Sequence, residues 1–154
     1  MKSETAKRIL DRTPEHTKQE VAEWAKHATV KRGSFDFDST MSQKQVQKIA
    51  KQLIKNGVEV WIVTRRGEDR DNRDLFEVAE NLGITNIHFT NFKDKWEFFK
   101  DNNFLFHLDD DVIELSMIKS YTKITTICHC GWGEKFGGKE KWKIMIKKLC
   151  GLKN

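Results

Sequence analysis

The chain alternates short apolar runs with segments in which apolar residues recur every three or four positions. The first pattern is typical of buried strands and the second of amphipathic helices. A helical segment follows each apolar run, and the predicted strands lie at 34–37, 58–63, 87–89, 104–108 and 124–128. Strands that alternate with helices predict an α/β fold, namely a three-layer, Rossmann-like parallel sheet with helices on both faces.

Residues that favour helix ends stand at the expected places between these strands. Ser42 is the expected N-cap of the helix that follows the first strand. Gly83 closes the helix predicted over roughly 72–82, and Asp94 opens the next one. Two further helices are predicted before residue 33, so the fold carries an N-terminal helical extension.

The length and composition indicate one folded domain. The chain has 154 residues, of which 38% are hydrophobic and 33% charged, which is too apolar for a disordered chain. It has no linker rich in Pro, Gly or Ser. We therefore expect a single domain over 1–154, with N-terminal helices over 1–32, a core over 33–128, and a Gly-rich loop with a basic C-terminal helix over 129–154.

The sequence lacks the features of a membrane or secreted protein. No run approaches the ~18 apolar residues of a membrane span, and MKSETAKRIL at the N-terminus lacks the apolar segment of a secretory signal. Two of the three cysteines, Cys128 and Cys130, are too close together to suggest a disulfide framework. We expect a cytoplasmic protein without membrane contact, and the sequence leaves its oligomeric state open.

Charge is distributed unevenly along the chain, whose net charge is +5. Residues 1–32 carry a net +3, residues 33–118 a net −5, and residues 119–154 a net +7. An acidic centre between basic ends fits a carboxylate-rich site on a protein that attracts anions. Alternatively, the basic side chains only keep the protein soluble.

Side chains able to do chemistry follow the ends of the predicted strands. Asp36 and Asp38 end the first strand, and Thr64 ends the second. Lys95 lies at a helix start, and Asp109-Asp110-Asp111 follow the fourth strand. Each alone has another explanation, such as a turn, a helix cap or a solvated lysine. Because sites in parallel sheets form beyond the carboxyl ends of the strands, we expect these groups to converge on one edge.

Taken together, these residues resemble the motifs of the haloacid dehalogenase (HAD) superfamily of phosphohydrolases. The resemblance rests on FDFDST at 35–40, WIVT at 61–64, Lys95 and FHLDD at 106–110, and it covers roughly 33–128. It implies the HAD-like fold and a phosphoric monoester hydrolase. The segment KRGS before Asp36 is less apolar than the first strand of a typical member.

The resemblance also implies the role of each candidate catalytic residue. Asp36 would attack the phosphorus and form an aspartyl-phosphate. Asp38 would protonate the leaving oxygen and then take a proton from the hydrolytic water. Thr64 would donate its hydroxyl to a phosphoryl oxygen, whose charge Lys95 would neutralise. Lys93 is a rival for the last role, although Lys95 is better aligned with the helix start.

Carboxylates so close to a phosphate require a cation, and Mg²⁺ suits ligands that are all oxygen. The resemblance implies Asp36 and Asp109 as side-chain ligands, Asp38 as a ligand through its backbone carbonyl, and Asp110 as a residue that orients the metal shell. Zinc at Cys128-His129-Cys130 is a weaker alternative, because no second paired spacing completes four ligands. A strand end with ordinary thiols explains that segment better.

The spacing of the motifs predicts an open site of the minimal-cap type. Only 23 residues separate Thr40 from Thr64 and 30 separate Thr64 from Lys95, too few for an inserted cap domain. An open site admits the end of a macromolecule. The basic ends of the chain favour a phosphorylated nucleic-acid end over a phosphoprotein.

Other side chains near the predicted edge have two explanations each. Arg65, with the arginines at 66 and 70, either binds a substrate phosphate or is solvated. Trp132 and Phe136, in the Gly-rich loop, either stack on a nucleobase or pack the last helix.

Two alternative functions stay open. One is a phosphatase of a small molecule, such as a nucleotide or a phosphosugar. The other is a non-catalytic module of the same fold that binds nucleic acid or protein. Four mutually repelling carboxylates favour an enzyme, because a binding module has no need of them.

Overall fold

The computed structural model describes residues 30–129 and 141–153. The predicted N-terminal helices and nearly all of the Gly-rich loop, with Trp132 and Phe136, lie outside the described residues. The elements, in chain order, are β1 (Arg32–Phe35), a π-helical turn (Phe37–Met41), α1 (Lys44–Lys55), β2 (Glu59–Thr64), α2 (Arg73–Leu82), β3 (Asn86–Phe89), α3 (Lys95–Phe99), β4 (Phe106–Asp109), α4 (Val112–Tyr121), β5 (Thr125–Cys128) and α5 (Lys141–Leu149).

The five strands form one sheet in the order β3-β2-β1-β4-β5, and every neighbouring pair is parallel. The predicted fold class is therefore confirmed for the sheet and its flanking helices. Because β1 lies at the centre, the carboxyl ends of β2 and β4 adjoin its own at one edge of the sheet. No helix among the described residues is long and apolar enough to span a membrane.

The sheet separates two apolar clusters, since successive side chains of a strand point to opposite faces. Ile62 belongs to the larger cluster, which α1, α2 and α5 cover, and Val63 belongs to the smaller one, which receives Phe99 and Ile118 from α3 and α4. The smaller cluster lies on the face of the sheet that carries Ser34 and His107, two buried polar residues.

The helix ends agree only in part with the sequence signals. Gly83 ends α2 in the left-handed conformation, with φ 75°, as predicted. The prediction for Ser42 is wrong, because its backbone N–H closes the preceding turn on Phe37 and α1 begins two residues later. Asp111 is the clear cap, since its side chain accepts the backbone N–H groups of Ile113 and Glu114.

Candidate active site at the carboxyl edge of the sheet

The backbone turns sharply where β1 ends and so delivers Asp36 to the edge of the sheet. The N–H of Asp36 donates to Leu108 O of β4 at 2.9 Å, and Asp36 O accepts from the N–H of Met41 at 3.0 Å. Within this turn Ser39 has a φ of 58°, in the left-handed region that favours glycine. The Asp36 carboxyl group therefore leaves the sheet at a point fixed by β4 on one side and the turn on the other.

Three carboxyl groups meet at this edge. Asp36, Asp109 and Asp110 each offer one oxygen, and these oxygens all lie within 4.8 Å of one another. Asp36 and Asp109 are buried and Asp110 is half-buried. We call these three residues the carboxylate cluster. An all-oxygen set of this size fits a hard divalent cation such as Mg²⁺, which would offset the repulsion between the carboxylates.

Lys95 joins the two buried carboxylates of this cluster. Its Nζ donates to Asp36 Oδ1 at 2.8 Å and to Asp109 Oδ2 at 2.6 Å, and its side chain is 2% exposed. Burial lowers the pKa of Lys95, but both carboxylates raise it, and the net shift is upward. Lys95, rather than the exposed Lys93, is therefore the lysine at this edge.

The two buried carboxyl groups are electrostatically unlike. Burial raises the pKa of Asp36 to about 8 against the charge of Lys95, and Asp109 adds to the rise. Burial also opposes ionisation of Asp109, yet hydrogen bonds from His107 and Lys95 hold the pKa of that carboxyl well below its usual range. A divalent cation beside them would lower the pKa of Asp36, and the ionised form is the one a nucleophile requires.

The side chain of Asp38 lies outside the carboxylate cluster and is held by two hydrogen bonds from Arg66. Arg66 Nη2 donates to Asp38 Oδ1 at 2.7 Å and Nε donates to Oδ2 at 3.0 Å. The same guanidinium donates to both oxygens of Asp74, at 2.7 and 2.8 Å, and lies 4.8 Å from the centre of the Phe37 ring. The Asp38 side chain is nevertheless 58% exposed, so it is fixed in place and open to solvent.

Thr64 is the last residue of β2, the strand beside β1, and Arg65 follows it. The described contacts of these two residues do not reach the carboxylate cluster. Thr64 is buried, and its Oγ1 accepts from the N–H of Arg66 at 3.2 Å. Arg65 Nη2 donates to Phe92 O at 2.9 Å, and Nη1 lies 3.2 Å from Glu114 Oε1. The Arg65 side chain is 45% exposed, so it stays accessible from solvent.

Sequence reasoning missed three residues that support the site. The sequence leaves Arg66 as either a phosphate ligand or a solvated side chain, and only the structure shows its hydrogen bonds to Asp38. Buried Glu114 accepts the backbone N–H of Lys95 at 3.2 Å and so holds the start of α3. His107 Nε2 lies 2.9 Å from Asp109 Oδ2. The sequence does carry a signal for His107, because it is a polar residue within an otherwise apolar strand.

The polar character of KRGS before Asp36 has a structural reason. Gly33 faces Phe106 of β4, and a Cβ at Gly33 would lie 2.5 Å from that ring. Ser34 faces His107, and the Ser34 Oγ and His107 Nδ1 atoms are 2.8 Å apart. Burial lowers the pKa of His107 to about 4, so the ring is neutral at pH 7. A neutral ring whose Nε2–H donates to Asp109 accepts the Ser34 hydroxyl at Nδ1.

The end of β5 adjoins this edge but does not support the zinc alternative. Cys130 of the predicted Cys128-His129-Cys130 segment lies outside the described residues. His129 Nδ1 lies 3.2 Å from Ser39 O in the turn after β1. In the described part of the chain, the carboxylate cluster is the group of His, Cys, Asp and Glu side chains placed to hold a metal ion.

Comparisons with known proteins bear on the fold. No family model matches the sequence, and no curated protein matches it. Among solved structures the chain is similar to the cobalt-bound form of the deoxy-D-mannose-octulosonate 8-phosphate phosphatase of Haemophilus influenzae, at 15% identity over 79% of this chain and 90% of that chain, with a TM-score of 0.50. It is also similar to a hypothetical protein from Xanthomonas campestris, at 14% identity over 79% of this chain and 84% of that chain, with a TM-score of 0.45. The first likeness supports the HAD-like fold.

Proposed function

We propose that the chain is a Mg²⁺-dependent phosphatase that acts through an aspartyl-phosphate on Asp36. The observation that carries the proposal is the pair of buried carboxylates, Asp36 and Asp109, joined by the ammonium of Lys95 at the carboxyl edge of the sheet. Such a buried charged set is costly to the fold, which makes a catalytic role its best explanation. The similar solved structure is named a phosphatase and holds cobalt, which supports the same class.

Each residue has a defined task in this reaction. The Asp36 carboxylate attacks the phosphorus, the bond to the leaving oxygen breaks, and Asp38 gives that oxygen a proton. Asp38 then removes a proton from the water that cleaves the aspartyl-phosphate. Lys95 and the Thr64 hydroxyl stabilise the phosphoryl oxygens. Arg66 keeps Asp38 fixed beside the open side of the site.

The cation would be held by Asp36, by Asp109 and by the backbone carbonyl of Asp38, while Asp110 orients the shell. Bound there, Mg²⁺ would neutralise charge on the phosphoryl group. The three clustered carboxyl groups supply hard oxygen donors, which is the set that Mg²⁺ prefers.

We further propose an open site of the minimal-cap type that accepts phosphorylated nucleic-acid ends. Between Thr40 and Thr64 the chain forms α1 and β2, and between Thr64 and Lys95 it forms α2 and β3 with their loops. The exposed guanidinium of Arg65 and the exposed ring of Phe92 lie on adjoining loops, where they suit a phosphate and a base. A small phosphosugar or nucleotide is the alternative substrate class.

A screen of Mg²⁺-dependent phosphate release tests this function. The substrates are 3′- and 5′-phosphorylated oligonucleotides, nucleotides, phosphosugars and phosphopeptides. Asp36→Asn should abolish release without unfolding the protein, because an amide is neither a nucleophile nor an anionic ligand. Asp101→Asn is the matched control, since the exposed Asp101 precedes β4 and lies towards the opposite edge of the sheet. Undiminished release by Asp36→Asn would refute the assignment, and a much higher kcat/KM on free nucleotides or phosphosugars would favour the alternative substrate class.

A further inference from the structure

Ser34 and His107 form a buried hydrogen-bonded chain that ends on Asp109. The two residues are paired across β1 and β4, with 2.8 Å between Ser34 Oγ and His107 Nδ1 and 2.9 Å between His107 Nε2 and Asp109 Oδ2. All three side chains are 0% exposed. Buried polar groups are costly unless they are hydrogen-bonded, so each member of this chain depends on the next.

The hydrogen bonds of Asp109 determine which of its oxygens remains free. Oδ2 accepts from His107 Nε2 and from Lys95 Nζ, and Oδ1 accepts from the backbone N–H of Asp111 at 3.0 Å. A carboxylate oxygen offers about two lone-pair sites. Oδ2 is thus fully used, and Oδ1 keeps one site.

We propose that Ser34 and His107 are positioning residues that fix the Asp109 carboxylate so that its Oδ1 faces the divalent cation. The inference rests on the proposed function only in placing a cation at the carboxylate cluster. Lys95 donates to the same oxygen but also touches Asp36, whereas His107 contacts Asp109 alone among the clustered carboxylates. Loss of such an outer hydrogen bond typically weakens metal binding 10- to 100-fold, on the order seen for other metal sites.

A packing role is the competing explanation for His107. Its ring also lies 4.9 Å from the ring of Phe99, so any substitution disturbs the apolar cluster under α3. His107→Gln places an amide donor near the position of Nε2, whereas His107→Met has a similar length and no donor. Packing alone would make the two variants alike, and positioning would separate them.

The experiment is isothermal titration calorimetry of the full chain with Mg²⁺, repeated with Mn²⁺. His107→Met should bind roughly 10- to 100-fold more weakly than wild type, and His107→Gln should stay within roughly threefold. His88→Met is the matched control. His88 lies on the edge strand β3 and stacks on Phe98, with 4.0 Å between the ring centroids, so this substitution should leave the affinity for the metal ion unchanged. Circular dichroism establishes that each variant is folded.

The outcomes separate this inference from the proposed function. Equal affinities of wild type and folded His107→Met would overturn it, as would a wild-type chain that binds neither ion. If His107→Met does not fold, Ser34→Ala tests the hydrogen-bonded chain from Ser34 to Asp109, since it keeps the His107 ring and removes the partner of its Nδ1. We expect the affinity of Ser34→Ala for Mg²⁺ to fall several-fold. Wild-type affinity in this variant would overturn the inference. If the affinities of the variants for Mg²⁺ follow the predicted order but the protein releases phosphate from no phosphoester, only the proposed function is contradicted.

Discussion

Replacement of Lys95 by methionine should expose the electrostatic arrangement on which the site depends. Methionine has nearly the same length, but it removes the ammonium that contacts Asp36 at 2.8 Å and Asp109 at 2.6 Å. The two carboxyl groups would then face each other, buried, without a compensating charge. We expect a less stable metal-free protein and a slower enzyme.

The size of the effect follows from these contacts. The two hydrogen bonds that the Lys95 ammonium donates contribute about 3–6 kcal/mol together, at roughly 1.5–3 kcal/mol for each hydrogen bond to a charged group. Loss of the buried ammonium also removes its own desolvation cost. Because the pKa of Asp36 is about 8, this carboxyl group is already largely protonated at pH 7 in the metal-free protein, so the substitution leaves no second buried anion without a partner. We therefore expect the free energy of unfolding at pH 7 to fall by about 2–3 kcal/mol in metal-free buffer.

Urea unfolding with EDTA or with Mg²⁺, followed by tryptophan fluorescence, measures this change. Mg²⁺ should restore part of the stability of Lys95→Met, because the cation brings positive charge to the same carboxylates. Phosphate release should stay on the order of 10²- to 10³-fold slower, since Lys95 also acts on the phosphoryl group. Lys93→Met, at the exposed rival lysine, is the control and should resemble wild type in both assays. Equal losses in the two variants would refute the reasoning.

Three further predictions concern neighbouring features. Arg66→Lys keeps the positive charge but loses the pair of guanidinium hydrogen bonds that holds Asp38. In steady-state assays of phosphate release, kcat should therefore fall roughly tenfold or more while KM changes little. An unchanged kcat would show that these hydrogen bonds are dispensable. Arg66 lowers the pKa of Asp74 from 3.8 to about 2, so wild type should be more stable than Asp74→Asn above pH 4. In urea unfolding, the difference in stability between the two proteins should vanish as the pH falls through about 2. Binding of a 5′-phosphorylated oligonucleotide, measured by fluorescence anisotropy, should weaken steeply as salt rises, and salt-independent binding would contradict the proposed nucleic-acid substrate.

Local sequence patterns were sufficient to predict the fold, but they placed some strand ends wrongly. The sequence predicts β1 over 34–37, whereas the structure has it at Arg32–Phe35. The predicted end of β1 is too late because Phe37 is buried although it belongs to the turn that follows the strand. Apolar alternation reports burial, and a buried residue in a turn satisfies it as well as one in a strand.

The site was predictable where it depends on strand ends and not where it depends on register. Asp36, Lys95 and Asp109 meet because parallel strands deliver their carboxyl ends to one edge. The Ser34–His107 bond joins residues 73 positions apart, and a shift of one residue in the pairing of β1 with β4 would break it. The clamp of Arg66 on Asp38 likewise depends on side-chain directions that no local pattern encodes.

A crystal structure of the full chain with Mg²⁺ and beryllofluoride tests the central claim most directly, because beryllofluoride mimics a phosphoryl group on a carboxylate and needs no knowledge of the substrate. The account predicts beryllium bonded to a carboxylate oxygen of Asp36, a fluorine near Lys95 Nζ, and Mg²⁺ between Asp36 and Asp109. Beryllium on another carboxylate, or Mg²⁺ bound away from these two residues, would contradict it.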